Sequence, residues 1–428
     1  MLAVGLLTLG MPTATSGPVS TRQPQKNHDE GIFKRALLVV PGIVAGAEDL
    51  DPAAVMTATV VGATYGLSAA WVIFLSFPVL QTVLAVSARI GQQTRRGLIE
   101  LVGIRYGFGK AKLMALGMVI VNLAMVVGDI YAVSDAMGLI LGQRRFMFMA
   151  ATAFLAWYFL VFSNYEKVTK KLGMLSIVLL AYVLAAHRAT PSYLQLGKAV
   201  LLPSIQLTSG YFMAVVALFG SLLTPDVIVW QTSTKRDVRS GVPFHLNESK
   251  AGTAVACLIS FAVVVCASRL HVSSPESLTT RMAAEALNVL GGMGPALFSL
   301  GIIGSGLVAL PLIIGSLCFS VAEAFGWRAR LSAEPWEDQR FYALISLIVV
   351  LAVGIDLFGI NVVKVLYFSQ LMAGIMTIPI LYYMWKLGGD AEIIGPVNTL
   401  GERRWLLGAL VVSILANVAL LITQLPWR

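Results

Sequence analysis

Charge is what this sequence has least of. Only 12% of its 428 residues are Asp, Glu, Lys or Arg, about half the share of a soluble domain, while 57% are hydrophobic. Long stretches free of apolar runs are missing too, which leaves no room for a soluble catalytic domain. Cysteine is scarce: Cys257, Cys266 and Cys318 are odd in number and lie inside apolar segments. That excludes a disulfide framework and a CxxC metal site. The four histidines, His28, His187, His245 and His271, fall in loops or at the ends of apolar runs, so no histidine-rich metal cage can form. No constellation for enzymatic catalysis is present, and no cofactor is implied. The opening "MLAVGLLTLGM" lacks a basic flank and is too short to span a bilayer, which argues against a signal peptide. Residues 1–33 read as a disordered tail or an over-extended start.

What is there is apolar sequence in spanning lengths, with a mean hydropathy of +0.81. A transmembrane helix needs about 20 predominantly apolar residues. Eleven candidates follow: 36–64 (interrupted), 68–89, 113–141, 146–163, 172–187, 205–233 (interrupted), 252–269, 294–324, 341–356, 362–386 and 405–424. The expected fold class is an all-α integral membrane protein, with residues 34–428 as a single transmembrane domain. Of the 31 Lys and Arg, 23 fall in the tail and in 89–112, 164–171, 235–250, 327–340 and 386–404. These alternate segments are cytoplasmic if the amino terminus is inside, the positive-inside pattern. The +9 net charge thus reports topology and implies no nucleic-acid partner. The lipid bilayer, and the plasma membrane in particular, is the expected setting, with the carboxyl terminus outside.

Two spans are interrupted by acid and proline together. The first reads "GAEDLDPAAVMT", with Glu48, Asp49, Asp51 and Pro52; the second reads "ALFGSLLTPDVIVWQT", with Thr224, Pro225 and Asp226. An intramembrane carboxylate costs about 2.5–3.5 kcal/mol on insertion scales. The breaks hold the same ordinal place in two sets of five spans, about 36–187 and 205–386, with 405–424 as an extra helix. Matched interruptions of this kind point to an inverted-repeat transporter whose half-helix ends line a site near the midplane. Pro52 leaves the Glu48 carbonyl without its helical donor, and Pro225 does the same to Ser221. Carboxylate and carbonyl oxygens therefore converge, which suits a hard cation.

A blander reading of Asp51 and Pro52 is an N-cap followed by proline at the first helical position, at the membrane edge. Asp51 lies near the centre of 36–64, however, and Glu48 shares its helix face. Asp129 in "MVVGDIYAVSDAMG" lies ~25 Å along its span, either in a pathway or at the solvated outer edge. Gln370 in "VLYFSQLMAG" is either a ligand or an interhelical hydrogen-bonding group. Lys364 is expected to pair with Asp356 across a short turn. Gly42, Gly46, Gly301, Gly304 and Gly306 read as close-packing or hinge positions.

At the two breaks the sequence resembles the Nramp family of divalent metal transporters, whose first break carries Asp-Pro-Gly-Asn and whose sixth span carries Met-Pro-His. The likeness extends through "VVPGIVAGAEDLDP", "SARIGQQTRRGLIELVGIRYG", "GDIYAV", "NYEKVTKKLG" and "YFSQ". It implies a LeuT-like five-plus-five fold and a divalent metal ion as substrate. The implied metal ligands are Asp51, the Ser221 carbonyl, and positions 54, 224 and 226, with Gln370 joining in some states. Here those positions hold Ala54, Thr224 and Asp226 where the family has asparagine, methionine and histidine, and Ala132 stands where an acid is expected. That pattern is similar to the Nramp-related branch that transports magnesium, so Mg²⁺ and then Mn²⁺ are the expected cargo. The competing expectation is a sodium- or proton-coupled symporter of organic solutes such as amino acids.

Overall fold

The computed structural model describes residues 50–162, 174–190, 192–202, 204–235, 246–272, 277–331, 335–358, 361–395 and 398–424. All regular structure among them is helical. The chain runs through α1 (Pro52–Tyr65), α2 (Trp71–Thr94), α3 (Leu98–Tyr106), α4 (Phe108–Leu141) and α5 (Phe146–Phe162). After a 3₁₀ turn at Ile177–Leu180 come α6 (Ala181–Ala189), α7 (Tyr193–Leu201), α8 (Ser209–Leu222), α9 (Pro225–Lys235) and α10 (Leu246–Ala267). It closes with α11 (Thr280–Glu285), α12 (Gly294–Phe325), α13 (Gln339–Asp356), α14 (Val362–Leu387), α15 (Ala391–Ile394) and α16 (Leu400–Gln424).

Eight of these segments are long and apolar enough to cross a membrane, counting α8 and α9 as one interrupted span. Phe146–Phe162 and Met174–Ala189 are shorter apolar helices. Together with the half-helix α1 they account for every expected span, apart from the part of the first that lies before residue 50. Some boundaries follow from local chemistry. Gly142 and Gly326 end α4 and α12 in the left-handed conformation that glycine adopts without strain. Pro78, Pro311 and Pro379 sit inside α2, α12 and α14, where each removes one helical hydrogen bond. Such losses are tolerated in membrane helices that pack against neighbours.

α1 and the interrupted segment Ser209–Thr234 are largely enclosed by the other helices. The interrupted segment Ser209–Thr234 is the most enclosed of the eight, and α16 is the least. The third span, α4, packs most extensively on the eighth, α12, so the matching members of the two halves meet each other. α14 lies against both α4 and α8. A Cβ on Gly220 of α8 would strike the Gln370 carbonyl and the Gly374 backbone of α14, so these helices touch through backbone. α1 packs on α10 and α14.

At the basic end of the bundle, the Glu323 carboxylate of α12 joins three elements. It accepts hydrogen bonds from the amides of Ile99 (3.2 Å) and Glu100 (3.3 Å) at the start of α3. It accepts a third from the Ser233 hydroxyl of α9 at 2.5 Å. An acid at a helix amino terminus satisfies otherwise unpaired donors and meets the positive end of the helix dipole. The ion pair of Asp356 is with Arg145 at 2.9 Å, not with Lys364 as its place in sequence suggested. The Arg145 guanidinium lies 3.7 Å from the Tyr131 ring centre and 4.2 Å from that of Phe146. A planar, delocalised cation suits that aromatic slot better than a lysine ammonium does.

Candidate site at two helix breaks

Asp51 turns out to be an N-cap, as the bland reading supposed, but one buried in protein. Its backbone is extended (φ −67°, ψ 166°), its Oδ1 accepts from the Ala54 amide at 2.5 Å, and Pro52 opens α1. Capping uses one carboxylate oxygen. The side chain is nonetheless only 6% exposed, so it is not a cap at a solvated membrane edge.

The second break repeats this construction. α8 ends at Leu222, and α9 begins at Pro225 with Asp226 in its first turn. The Ser221 hydroxyl donates to the Leu218 carbonyl at 2.9 Å within its own helix. What Ser221 offers the break is therefore its carbonyl, to which Pro225 has no N–H to give. The Leu223 carbonyl accepts from the Thr377 hydroxyl of α14 at 3.2 Å, which closes that side of the gap. Thr224, next to the proline, and Asp226 are both buried, Asp226 at 2%.

Gln370 and Asp129 bring polar atoms in from the flanking helices. Gln370 is fully buried on α14, and neither its Nε2 nor its Oε1 has a hydrogen-bond partner. Asp129 is fully buried on α4, with both carboxylate oxygens unpartnered. It lies within electrostatic reach of Asp51 and Asp226. Gly306 of α12 packs against both Val133 of α4 and Pro52, which holds this part of α4 beside the start of α1. Asp129 is thus buried in protein near the start of α1 and does not sit at a solvated edge. Ala54 and Ala132 are buried and supply no ligand. Gly301 and Gly304 pack against Leu179 and against Leu175 and Ser176, as close-packing positions. Glu48, Asp49, Gly42 and Gly46 lie outside the described residues.

Two groups went unnoticed in the sequence. Thr377 is seven residues, two helical turns, from Gln370 and shares its face. Tyr367, three residues before Gln370, is buried with an unpartnered hydroxyl. Polar residues at helical spacing around a known one were the signal available.

The electrostatics favour a cation. The amino ends of α1 and α9 carry about half a positive charge each, and Asp51 and Asp226 sit on those ends with a full negative charge when ionised. The carboxyl end of α8 adds its negative pole. None of Asp51, Asp129 and Asp226 is in an ion pair among the described residues. An unpaired buried carboxylate is strongly unfavourable unless a cation or a proton meets it. No three His, Cys, Asp or Glu side chains among the described residues are close enough to chelate one ion together. Carbonyl, amide, hydroxyl and water oxygens would have to complete any coordination shell.

Comparison with known proteins gives a consistent result. The profile of the Natural resistance-associated macrophage protein-like (Nramp) family matches residues 42–423. The chain is 24% identical over 403 residues to the divalent metal cation transporter MntH of Yersinia pestis (strain Pestoides F), covering 91% of this chain and 95% of the relative. The same figures hold for MntH of Yersinia pseudotuberculosis serotype O:1b. Among solved structures, the Eremococcus coleocola manganese transporter superposes with a TM-score of 0.64 at 15% identity, over 93% of this chain and 88% of that one. MhsT in complex with L-phenylalanine gives 0.60 at 14%, over 90% and 98%.

Proposed function

The chain belongs to the Nramp family, and from that premise we propose that it carries hard divalent cations, Mg²⁺ first and Mn²⁺ second, by alternating access at the two helix breaks. It is a multi-pass membrane transporter and not an enzyme. One observation carries the reading: Asp51, Asp129 and Asp226, none of them in an ion pair among the described residues, lie within electrostatic reach of one another at two breaks whose other candidate ligands are oxygens. Mg²⁺ and Mn²⁺ prefer oxygen ligands, and Mg²⁺ keeps several of its waters. The cation would sit among Asp51, Asp226, the Ser221 carbonyl and Thr224, with Gln370 joining as α14 moves. Asp129, within electrostatic reach of Asp51 and Asp226, would add negative potential without needing to touch the ion. Ala54 leaves space where the family has an amide, which suits a partly hydrated ion. With Thr224 in place of a methionine, no thioether favours Cd²⁺.

The fold is also that of a protein solved with a bound amino acid, MhsT in complex with L-phenylalanine, but an amino-acid carboxylate would be repelled by three acids here. Coupling also follows from the ligands. No histidine stands at the breaks and Ala132 replaces an acid, so metal flux runs without stoichiometric proton flux. The test is uptake of Mg²⁺, Mn²⁺ and Cd²⁺ in one proteoliposome preparation. Transport of Mg²⁺ with competition by Mn²⁺ is expected; good Cd²⁺ transport unaffected by millimolar Mg²⁺ refutes the hard site.

A further inference from the structure

A groove of about 360 Å³ runs down the outside of the bundle between α4 and α14, away from the two breaks. Its walls are Leu113, Leu116 and Ile120 from α4, and Met376, Pro379 and Tyr383 from α14. Lys110 lines it as well, at the start of α4, and no carboxylate does. The apolar wall faces outward: Leu113 is 69% exposed, Leu116 56% and Ile120 47%. The helices are antiparallel there, since Gly117 lies beside Met376 and Gly128 beside Leu366. Gly117 keeps the α4 side low, and Pro379 deprives α14 of the hydrogen bond to Ile375, so the two helices leave a gap.

Dimensions and charge then select the occupant. Lys110 to Ile120 is ten residues, ~15 Å of helix, or about half the ~30 Å hydrocarbon core. The groove therefore has the depth of one leaflet, apolar along its length and cationic at the interface end. Lys110 belongs to the basic segment 89–112, and Lys386 lies just past Tyr383 at the same end of α14, above the Tyr382 and Trp385 rings. Two acids near this end, Asp390 and Glu392, pair with Arg105 at 3.1 and 3.6 Å, and Lys110 is the one charged side chain among the described residues lining the groove. Apolar grooves with a basic mouth on the positive side of a membrane suit anionic headgroups.

We propose that this groove binds one anionic phospholipid, with an acyl chain against Leu113, Leu116 and Ile120 and the phosphate at Lys110. The lipid would lie along the outer seam of α4 and α14, the helices that carry Asp129 and Gln370. The experiment is native mass spectrometry of the full chain released from nanodiscs of phosphatidylglycerol or phosphatidylcholine. Three variants accompany the wild type: Lys110→Gln, Ile120→Trp to fill the groove, and Lys198→Gln as an exposed lysine elsewhere. Wild type and Lys198→Gln should retain one phosphatidylglycerol in preference to phosphatidylcholine. Lys110→Gln should weaken that retention about fivefold, the worth of one lysine at a lipid surface. Ile120→Trp should abolish it. Equal retention of both lipids by wild type, or unchanged retention by either groove variant, overturns the proposal. Loss in Lys110→Gln alone would mean a surface headgroup contact and no groove site. A thermal melt of each variant confirms that it is folded.

Discussion

Asp51 has two separable tasks, and substitution can divide them. One oxygen caps α1 through the Ala54 amide, and the rest of the carboxylate supplies charge to the site. Asparagine caps as well as aspartate, whereas alanine does not cap. Asp51→Ala should therefore lose ~1 kcal/mol from the missing cap, within a range of about 0.5–2 kcal/mol. In a chain of this size that places its melting temperature about 2 °C or less below that of Asp51→Asn, since both variants lose the charge and only alanine loses the cap. Asp51→Asn keeps the cap and removes an unpaired buried charge, so its metal-free melting temperature should equal or exceed that of wild type. Transport should respond differently. A charge-assisted contact is worth about 1.5–3 kcal/mol, roughly ten- to a hundredfold in affinity, and both variants lose it. The assay is paired: thermal unfolding in detergent without metal, then divalent uptake into vesicles. Near-wild-type uptake by Asp51→Asn would reduce Asp51 to a structural cap and refute the site. Equal melting temperatures for the alanine and asparagine variants would refute the capping role.

Other outcomes follow from the same geometry. Thr224→Met with Ala54→Asn should shift preference toward Mn²⁺ and Cd²⁺ by ~1–2 kcal/mol, about tenfold, measured as a ratio of initial uptake rates. Glu323→Ala strips the acceptor from two α3 amides and the Ser233 hydroxyl; about 1–3 kcal/mol of stability should go with it. If Glu323→Ala melts with wild type, the junction contributes nothing. Gly220→Leu forces a side chain into the Gln370 carbonyl and the Gly374 backbone, and should abolish folded expression judged by size-exclusion profile. Metal influx should leave a trapped pH dye unchanged; acidification in step with metal entry would show proton coupling through Glu48 or Asp129.

Much of the fold was legible because lipid leaves so little latitude: an apolar run of twenty residues has to be a helix. The breaks were legible for the same reason, since acid and proline together make poor sense in such a run. What escaped notice depended on neighbours distant in sequence. Asp129 stayed open between a pathway and a solvated outer edge when depth was counted from residue 113. The helix begins at Phe108 and is 34 residues, ~51 Å, long, so distance along it is a poor measure of depth in the bilayer. Lys364 looked paired to Asp356 because the two are close in the chain, but Arg145 reaches Asp356 from a loop 211 residues away. The α3 helix was hidden among the charges of a connecting segment. Its start is fixed by Glu323, more than 220 residues on, which no local pattern reveals.

The central claim is that the acids at the breaks bind and pass a hard divalent cation. The most direct test is Mg²⁺ influx into proteoliposomes that contain a trapped metal-sensitive dye. Wild type, Asp51→Asn, Asp226→Asn and protein-free vesicles are compared at equal reconstitution. The account predicts saturable influx in wild type, competition by external Mn²⁺, a large loss in Asp226→Asn, and the protein-free baseline in Asp51→Asn. Influx that survives both substitutions, or no wild-type influx of either metal above the protein-free baseline, contradicts it.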